Sequence, residues 1–300
     1  MTMTGPALAL LLSAALFPQA QGSVSAQDAG SVDIIAASLD ADARMTVPVR
    51  IGENGPFLFL IDTGSQNTVV ATSLATRLAL KPDSRAMIIS VAGSRVADTV
   101  VLEEIGLGRR SYYGLVAPLL DRGDIGADGI IGLDGLQGQR VLMDFNRNII
   151  AVDDARRLGG NDGFEIVVEA KRRSGQLIMT DAIIDGVRVS VVIDTGAEGT
   201  IGNRALQRAL SSRPVMAQAE LISATGHTVI ADIGMGRNLR LGGMDISNLP
   251  LAFTDTPAFT ALKLDRRPAI LLGMRELRLF NRVAIDFTTR KVFFDTPWES

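Results

Sequence analysis

Two aspartates of this chain stand in the same short context. Asp62 ends Phe57 to Ile61 and opens Asp62-Thr63-Gly64; Asp194 ends Val189 to Ile193 and opens Asp194-Thr195-Gly196. They lie 194 − 62 = 132 residues apart. A carboxylate that is to act as a general base must be held at the end of a rigid element, and an apolar strand supplies one. The Thr can pack its methyl and hydrogen-bond across the site, and the Gly permits the tight turn. A single Asp-Thr-Gly also fits an ordinary strand-to-turn junction, where Asp accepts backbone N–H bonds. Two copies, each behind an apolar strand, point instead to paired carboxylates. Composition narrows the alternatives. There is no cysteine, which excludes disulfides, thiolate metal sites and cysteine nucleophiles, and the single histidine, His227, excludes a multi-histidine metal site. Chemistry here must run on carboxylates, hydroxyls, Lys, Arg or backbone groups.

The surrounding elements recur in the same order. Phe57 to Val70 (FLFLIDTGSQNTVV) matches Val189 to Gly202 (VSVVIDTGAEGTIG). A helical stretch follows in each half, Ser73 to Leu80 and Asn203 to Ser211, with Leu74/Leu78 and Leu206/Leu210 at the i, i+4 spacing of one face. Next come two hairpin patterns, Ile88 to Thr99 turning near Gly93 and Leu221 to Asp232 turning near Gly226. Ile130-Ile131-Gly132 matches Leu271-Leu272-Gly273, and each half closes on a β pattern containing Asp-Phe, at Asp144 and Asp286. Further strands are predicted over Met45 to Ile51, Val96 to Ile105, Phe164 to Ala170, Gln176 to Ile184, Val187 to Ile193 and Val283 to Phe294. The fold class is therefore mostly β with one or two short helices per copy.

The chain divides on these grounds into 1–26, a signal peptide; 27–44, a flexible lead-in; 45–152, a first lobe; 153–163, a polar, Gly-rich linker; and 164–296, a second lobe. Ala7 to Phe17 is an apolar run too short to span a bilayer, and Val24-Ser25-Ala26 puts small or apolar residues before a cleavage point after Ala26. Export to the periplasm or medium is the expectation, although no Lys or Arg precedes the run; membrane attachment would follow only from a retained signal. With 30 Lys+Arg against 33 Asp+Glu, the net charge of −3 offers no field for nucleic acid.

From about Met45 to Asp295 the sequence resembles the aspartic peptidases, specifically bacterial retropepsin-like proteins with two Asp-Thr-Gly lobes fused in one chain. The resemblance implies a bilobal double β-barrel of the pepsin/retropepsin kind, with Asp62 and Asp194 as a catalytic dyad. It implies reciprocal hydrogen bonds between Thr63 and Thr195, backbone N–H groups presented by Gly64 and Gly196, Gly132 and Gly273 in supporting turns, and flap hairpins at Gly93 and Gly226. It also implies a mechanism. Two carboxylates about 3 Å apart share one proton; the ionised one activates a water, and the protonated one donates to the peptide carbonyl oxygen. No metal and no organic cofactor is needed, and the partner is a polypeptide bound in extended form.

Departures from the family pattern favour the retropepsin-like branch. Ser65 follows the first triplet but Ala197 the second, so a hydroxyl is expected to bond one carboxylate and not the other. Tyr112 and Tyr113 fall too late to serve as a flap tyrosine, and no long pro-segment separates the signal from Met45. His227 reads as an exposed turn residue, Lys171-Arg172-Arg173 as a solvated turn, and Asp144 and Asp286 as structural caps of local N–H groups. Gly106-Leu107-Gly108 lacks the third glycine of a dinucleotide loop, and Ser65 lacks a neighbouring histidine for a triad. A peptide-binding or scaffolding protein that keeps the fold without turnover is the alternative to an active endopeptidase.

Overall fold

A computed structural model describes residues 33–158, 160–210 and 215–297, together with the backbone of two short strands, Leu8–Leu10 and Val24–Ser25. The expected signal segment and its cleavage point after Ala26 otherwise lie outside the described residues.

Each half closes a β-barrel around its Asp-bearing strand. In the first half the ring runs Ser94–Leu107, Met45–Ile51, Asn54–Ile61, Gly129–Ile131, Val69–Ala71 and Arg110–Leu120, which pairs again with Ser94–Leu107. In the second it runs Thr228–Leu241, Met244–Phe253, Ile201–Gly202, Ala269–Leu272, Val187–Ile193 and Gln176–Ile184, which returns to Thr228–Leu241. The two rings use the same connections. Gly129–Ile131 lies parallel to Asn54–Ile61 with Ile131 opposite Ile61, and Ala269–Leu272 lies parallel to Val187–Ile193 with Leu272 opposite Ile193. Every residue of these two crossing strands is buried, as a strand flanked on both sides and covered on both faces demands, and so both read as unbroken apolar runs.

The halves are joined by a central antiparallel sheet in the order Ile34–Ala36, Ile149–Asp153, Arg140–Asp144, Arg282–Asp286, Lys291–Asp295, Ile166–Arg173. Leu142 stands opposite Ala284 at its middle, so the sheet takes three strands from either side of a local twofold. Residues 34–36, read from sequence as part of a weakly ordered lead-in, form its edge strand. The Asp-Phe segments meet here. Asp144 Oδ1 accepts the Arg147 N–H at 2.9 Å, and Asp286 Oδ1 accepts those of Thr288 and Thr289 at 3.0 and 2.8 Å, the capping role expected of them. Asp286 also carries a buried ion pair with Arg140 at 3.0 Å, and Arg140 lies 4.2 Å over the Phe293 ring while binding the Gly160 carbonyl and, at 3.0 Å, Asn161 Oδ1. One cation from the first half thus fastens both the second half and the 153–163 linker.

The helices are short: Thr72–Arg77, Arg122–Ile125 and Leu133–Leu136 in the first half, and Arg204–Ala209, Pro257–Ala261 and Met274–Leu277 in the second. Among the described residues that is three per half rather than one or two, because helices of four to six residues are too short for a 3.6-residue pattern to register. Asn203 caps its helix by accepting the Leu206 N–H at 2.9 Å. The closing pattern Val283 to Phe294 splits into two strands around a turn. The strands Arg110–Leu120 and Met244–Phe253 were not among those predicted, since mixed polarity and internal Gly or Pro obscure their alternation.

Candidate active site

The parallel strand pairs deliver Asp62 and Asp194 in matching ways. The Asp62 N–H donates to the Ile131 carbonyl at 3.1 Å and the Asp194 N–H to the Leu272 carbonyl at 3.0 Å. Past each aspartate the chain turns back on itself, Ser65 N–H to Asp62 O and Ala197 N–H to Asp194 O, both 3.3 Å. The helix after each apolar-apolar-Gly segment then braces the loop. The Leu133 N–H bonds the Ser65 carbonyl at 2.9 Å, and the Met274 N–H bonds the Ala197 carbonyl at 2.8 Å. Only glycine fits at the start of these braces: a Cβ on Gly132 would lie 2.4 Å from the Asn67 backbone, and one on Gly273 would lie 2.4 Å from the Gly199 carbonyl oxygen.

The two loops are locked to each other by their threonines. Thr63 Oγ1 donates to the Ile193 carbonyl at 3.0 Å and accepts the Thr195 N–H at 3.4 Å. Thr195 Oγ1 donates to the Ile61 carbonyl at 2.7 Å and accepts the Thr63 N–H at 3.0 Å. Each hydroxyl thus serves both as donor and as acceptor across the junction, which fixes the separation of the two strand ends.

Both aspartates are wholly buried. Asp62 Oδ1 accepts the Gly64 N–H at 2.7 Å and the Ser65 N–H at 3.0 Å, and Asp194 Oδ1 accepts the Gly196 N–H at 3.2 Å. The loops touch closely, for a Cβ on Gly196 would fall 2.4 Å from Asp62 Cγ. The Oδ2 atoms of both aspartates are buried and take no hydrogen bond from the described residues. Burial pushes Asp62 from its ordinary 3.8 up to about 7, against the opposing hydrogen bonds from Gly64 and Ser65. Burial pushes Asp194 well above its ordinary value, and the charge of Asp62 adds to that. Like charges this near cannot both be carried in a dry site, so the pair holds a proton at pH values where free carboxyls have lost theirs. One carboxylate and one carboxylic acid side by side are a general base and a general acid in the same place.

This arrangement has a measurable cost. From about pH 4 up to at least the value of about 7 to which Asp62 is raised, an unfolded chain releases protons that the folded pair keeps. The stabilisation from the protonated pair is complete below that window and is lost as pH rises through it. Asp194→Asn removes one titration and the repulsion with it. Above pH about 7 the variant should therefore be more stable than the wild type, by several degrees in Tm, with the gap closing near pH about 4. Thermal unfolding followed by circular dichroism across this range checks it; parallel curves for the two proteins would refute it.

The sequence-predicted site residues Asp62, Thr63, Gly64, Asp194, Thr195 and Gly196 are brought together at this junction. Ser65 and Ala197 flank it, but the Ser65 hydroxyl is not bonded to a carboxylate as expected. It donates to the Asn67 carbonyl at 2.8 Å, and the serine reaches Asp62 through its N–H instead. Gly93 and Gly226 lie at the turns of hairpins formed by Pro82–Ile89 with Ser94–Leu107 and by Ala217–Ser223 with Thr228–Leu241. The two tips meet. Ser90 Oγ stands 2.8 Å from Thr225 Oγ1 and 3.1 Å from Ser223 Oγ. His227 is half-buried in this contact rather than exposed: its Nδ1 lies 3.0 Å from Thr225 Oγ1, and its ring faces Gly93. Tyr112 is remote from the tips and pairs with Gln139.

Several site residues escaped the sequence reading. Thr68 and Thr200 each follow their aspartate by six positions, a match visible in the quoted segments. Thr68 Oγ1 donates to Asp134 at 2.8 Å and accepts the Gly132 N–H, whereas Thr200 Oγ1 donates to Glu276 at 2.5 Å and accepts the Gly273 N–H. Burial pushes Asp134 up to about 6. Arg44 and Gln176 reach the triplets from the opposite halves: Arg44 Nη1 donates to the Gly196 carbonyl at 3.4 Å and Gln176 Nε2 to the Gly64 carbonyl at 2.5 Å. Among the described residues no group of three or more His, Asp or Glu side chains is gathered closely enough to hold a metal ion.

Comparison with known families supplies one finding. The family model described as aspartyl protease matches the chain twice, over residues 47–134 and 180–275, each match containing one triplet and its supporting glycine. No match to the chain is found among curated proteins.

Proposed function

Because the chain belongs to the aspartyl protease family, we propose that it is an aspartic endopeptidase in which Asp62 and Asp194 work as one acid–base unit. The observation that carries this reading is the pair itself: two wholly buried carboxylates on cross-locked loops, each with its Oδ2 left unbonded by the described residues. The ionised member takes a proton from a water, the resulting hydroxide attacks the scissile carbonyl carbon, and the protonated member donates to the carbonyl oxygen. Collapse of the tetrahedral intermediate returns a proton to the leaving amine and breaks the C–N bond. The loops and their threonine lock keep the two carboxyls in place, so little reorganisation accompanies the proton transfers. A polypeptide lying extended between the barrels and the hairpins would pair by strand-like hydrogen bonds, with alternate side chains in pockets.

Incubation of the purified chain lacking residues 1–26 with a diverse peptide pool at several pH values, read by mass spectrometry, tests the proposal. Internal cleavage that fades at high pH is the expected result. Retention of peptides without cleavage at any pH would replace it with the non-catalytic peptide-binding reading.

A further inference from the structure

The contacts of Arg44 and Gln176 form a pattern that the triplets alone do not explain. The two residues occupy the same place in their halves, since 62 − 44 = 18 and 194 − 176 = 18. Each comes at the entry of the first barrel strand, and each crosses to the other half to bond the carbonyl of the triplet glycine there, Arg44 to Gly196 and Gln176 to Gly64. Both are buried. The geometry is matched, but the charge is not: one position carries a cation and the other a neutral amide.

We propose that Arg44 and Gln176 are a matched pair of positioning residues, each holding the opposite half's Asp-Thr-Gly loop by its glycine carbonyl, and that the cation present only at Arg44 keeps one carboxylate of the pair ionised. This rests on reading Asp62 and Asp194 as a catalytic pair.

Physical arguments on both halves of the pattern lead there. A buried guanidinium is costly unless it is paired and hydrogen-bonded. Arg44 is tied to Asp40 at 2.6 Å and faces Asp42 at 3.4 Å, and it also donates to the Ile125 carbonyl at 2.9 Å. These contacts aim it at the Gly196 loop, where its charge acts on Asp62 and Asp194 alike and opposes the effect of burial on both. The other charged groups around it are Asp40, Asp42 and, acting on Asp42 from the loop after Asp194, Glu198. Of these groups only Arg44 donates to the Gly196 carbonyl, and its charge lowers both Asp62 and Asp194. Gln176 carries no such field. Its Nε2 is committed to Gly64, while its Oε1 is buried with no partner among the described residues. An orphaned buried acceptor is destabilising, which an apolar side chain of similar size would avoid, so the carbonyl bond to Gly64 is what the amide is there to make.

The test separates charge from anchoring, and titration from turnover. In protein with ¹³C-labelled aspartate carboxyls, the pair's signals are identified by their loss in Asp62→Asn and Asp194→Asn, and their titration is followed by NMR. Arg44→Gln keeps a donor for Gly196 and removes the charge; it should move the pair's titration up by about one pH unit. Arg44→Lys should leave it near the wild-type position. Gln176→Leu should leave the titration in place but lower kcat roughly tenfold, with KM little changed, because the Gly64 loop loses its anchor. Should Arg44→Gln unfold the chain by stranding its anions, the same change made with Asp40→Asn and Asp42→Asn removes them. A folded Arg44→Gln variant whose aspartates titrate as in the wild type overturns the charge role, and an unchanged kcat in Gln176→Leu overturns the anchoring role. The titration arm needs no peptide hydrolysis, so a chain that cleaves nothing refutes the proposed function while Arg44 is still judged by its effect on the pair.

Discussion

Replacing either aspartate by asparagine should abolish peptide hydrolysis, by about 10⁴-fold or more, and replacing both should cost little beyond that. Asn keeps the volume and an Oδ1 that can accept the Gly64 and Ser65 N–H bonds at position 62, or the Gly196 N–H bond at position 194. It cannot exchange a proton in the range of a carboxyl. Because a single proton is shared, removing one member leaves the other without either its acid or its base, and the losses do not add. The activity of the wild type should follow a bell-shaped curve of kcat/KM against pH. Its acidic limb marks protonation of both aspartates and its upper limb loss of the shared proton. Burial raises both carboxyls, Asp62 to about 7, so both limbs should lie well above the range of free carboxyls and the active window should not fall in strong acid. Kinetics of the wild type, both single variants and the double variant, each checked for folding by circular dichroism, decide the matter. Substantial turnover in a folded single variant would show that the two carboxyls are not one unit.

How much of this was legible in the sequence depends on whether the signal was local. Asp62 and Asp194 could be found because strand, triplet and supporting glycine are each a short run whose physics is contained in the run. The same holds for Gly132 and Gly273, where close backbone approach admits no other residue. Arg44 and Gln176 share a position but not a residue type, so comparing the halves by similarity passes over them, and their partners lie 152 and 112 residues away. The Ser65 hydroxyl was misassigned because Asn67 offers a carbonyl two residues on, and only the turn's dihedral angles decide between that acceptor and the carboxylate. Residues 34–36 form a strand only because Ile149–Asp153 has a free edge to pair with, a property of the assembled sheet and not of three residues. The junction of the hairpin tips is of the same kind: Gly93 and Gly226 mark the turns, but nothing local to either shows that the two meet.

Joining Ser90 to Ser223 by a disulfide should switch the activity off, and reduction should restore it. The tips of the two hairpins are held together by neutral hydroxyls, Ser90 of one with Ser223 and Thr225 of the other. Ser90, Ser223 and Thr225 are buried in that contact, and both aspartates are closed off from solvent. Loss of activity follows from the proposal that a peptide reaches the pair by parting the tips. Hydrogen bonds of this sort are worth about 0.5–1.5 kcal/mol each, so thermal opening of the junction is affordable on the microsecond-to-millisecond scale of loop and domain motions. A covalent bond removes that freedom. Ser90 Oγ and Ser223 Oγ lie 3.1 Å apart, which places the two side chains where the Cβ separation of about 3.5–4.5 Å required by a disulfide can be met. The chain has no cysteine of its own, so the double variant carries only the introduced pair. Oxidised, it should lose kcat/KM by about 100-fold or more while keeping its fold, because a site that cannot open excludes substrate altogether. With reductant, and in the single variants Ser90→Cys and Ser223→Cys, activity should return to near the wild-type value, since a thiol differs from a hydroxyl there by little more than size. Mass spectrometry of the oxidised protein establishes that the bond has formed. If the crosslinked protein cleaves peptides as fast as the reduced one, substrate enters by another route and the tips are not the gate.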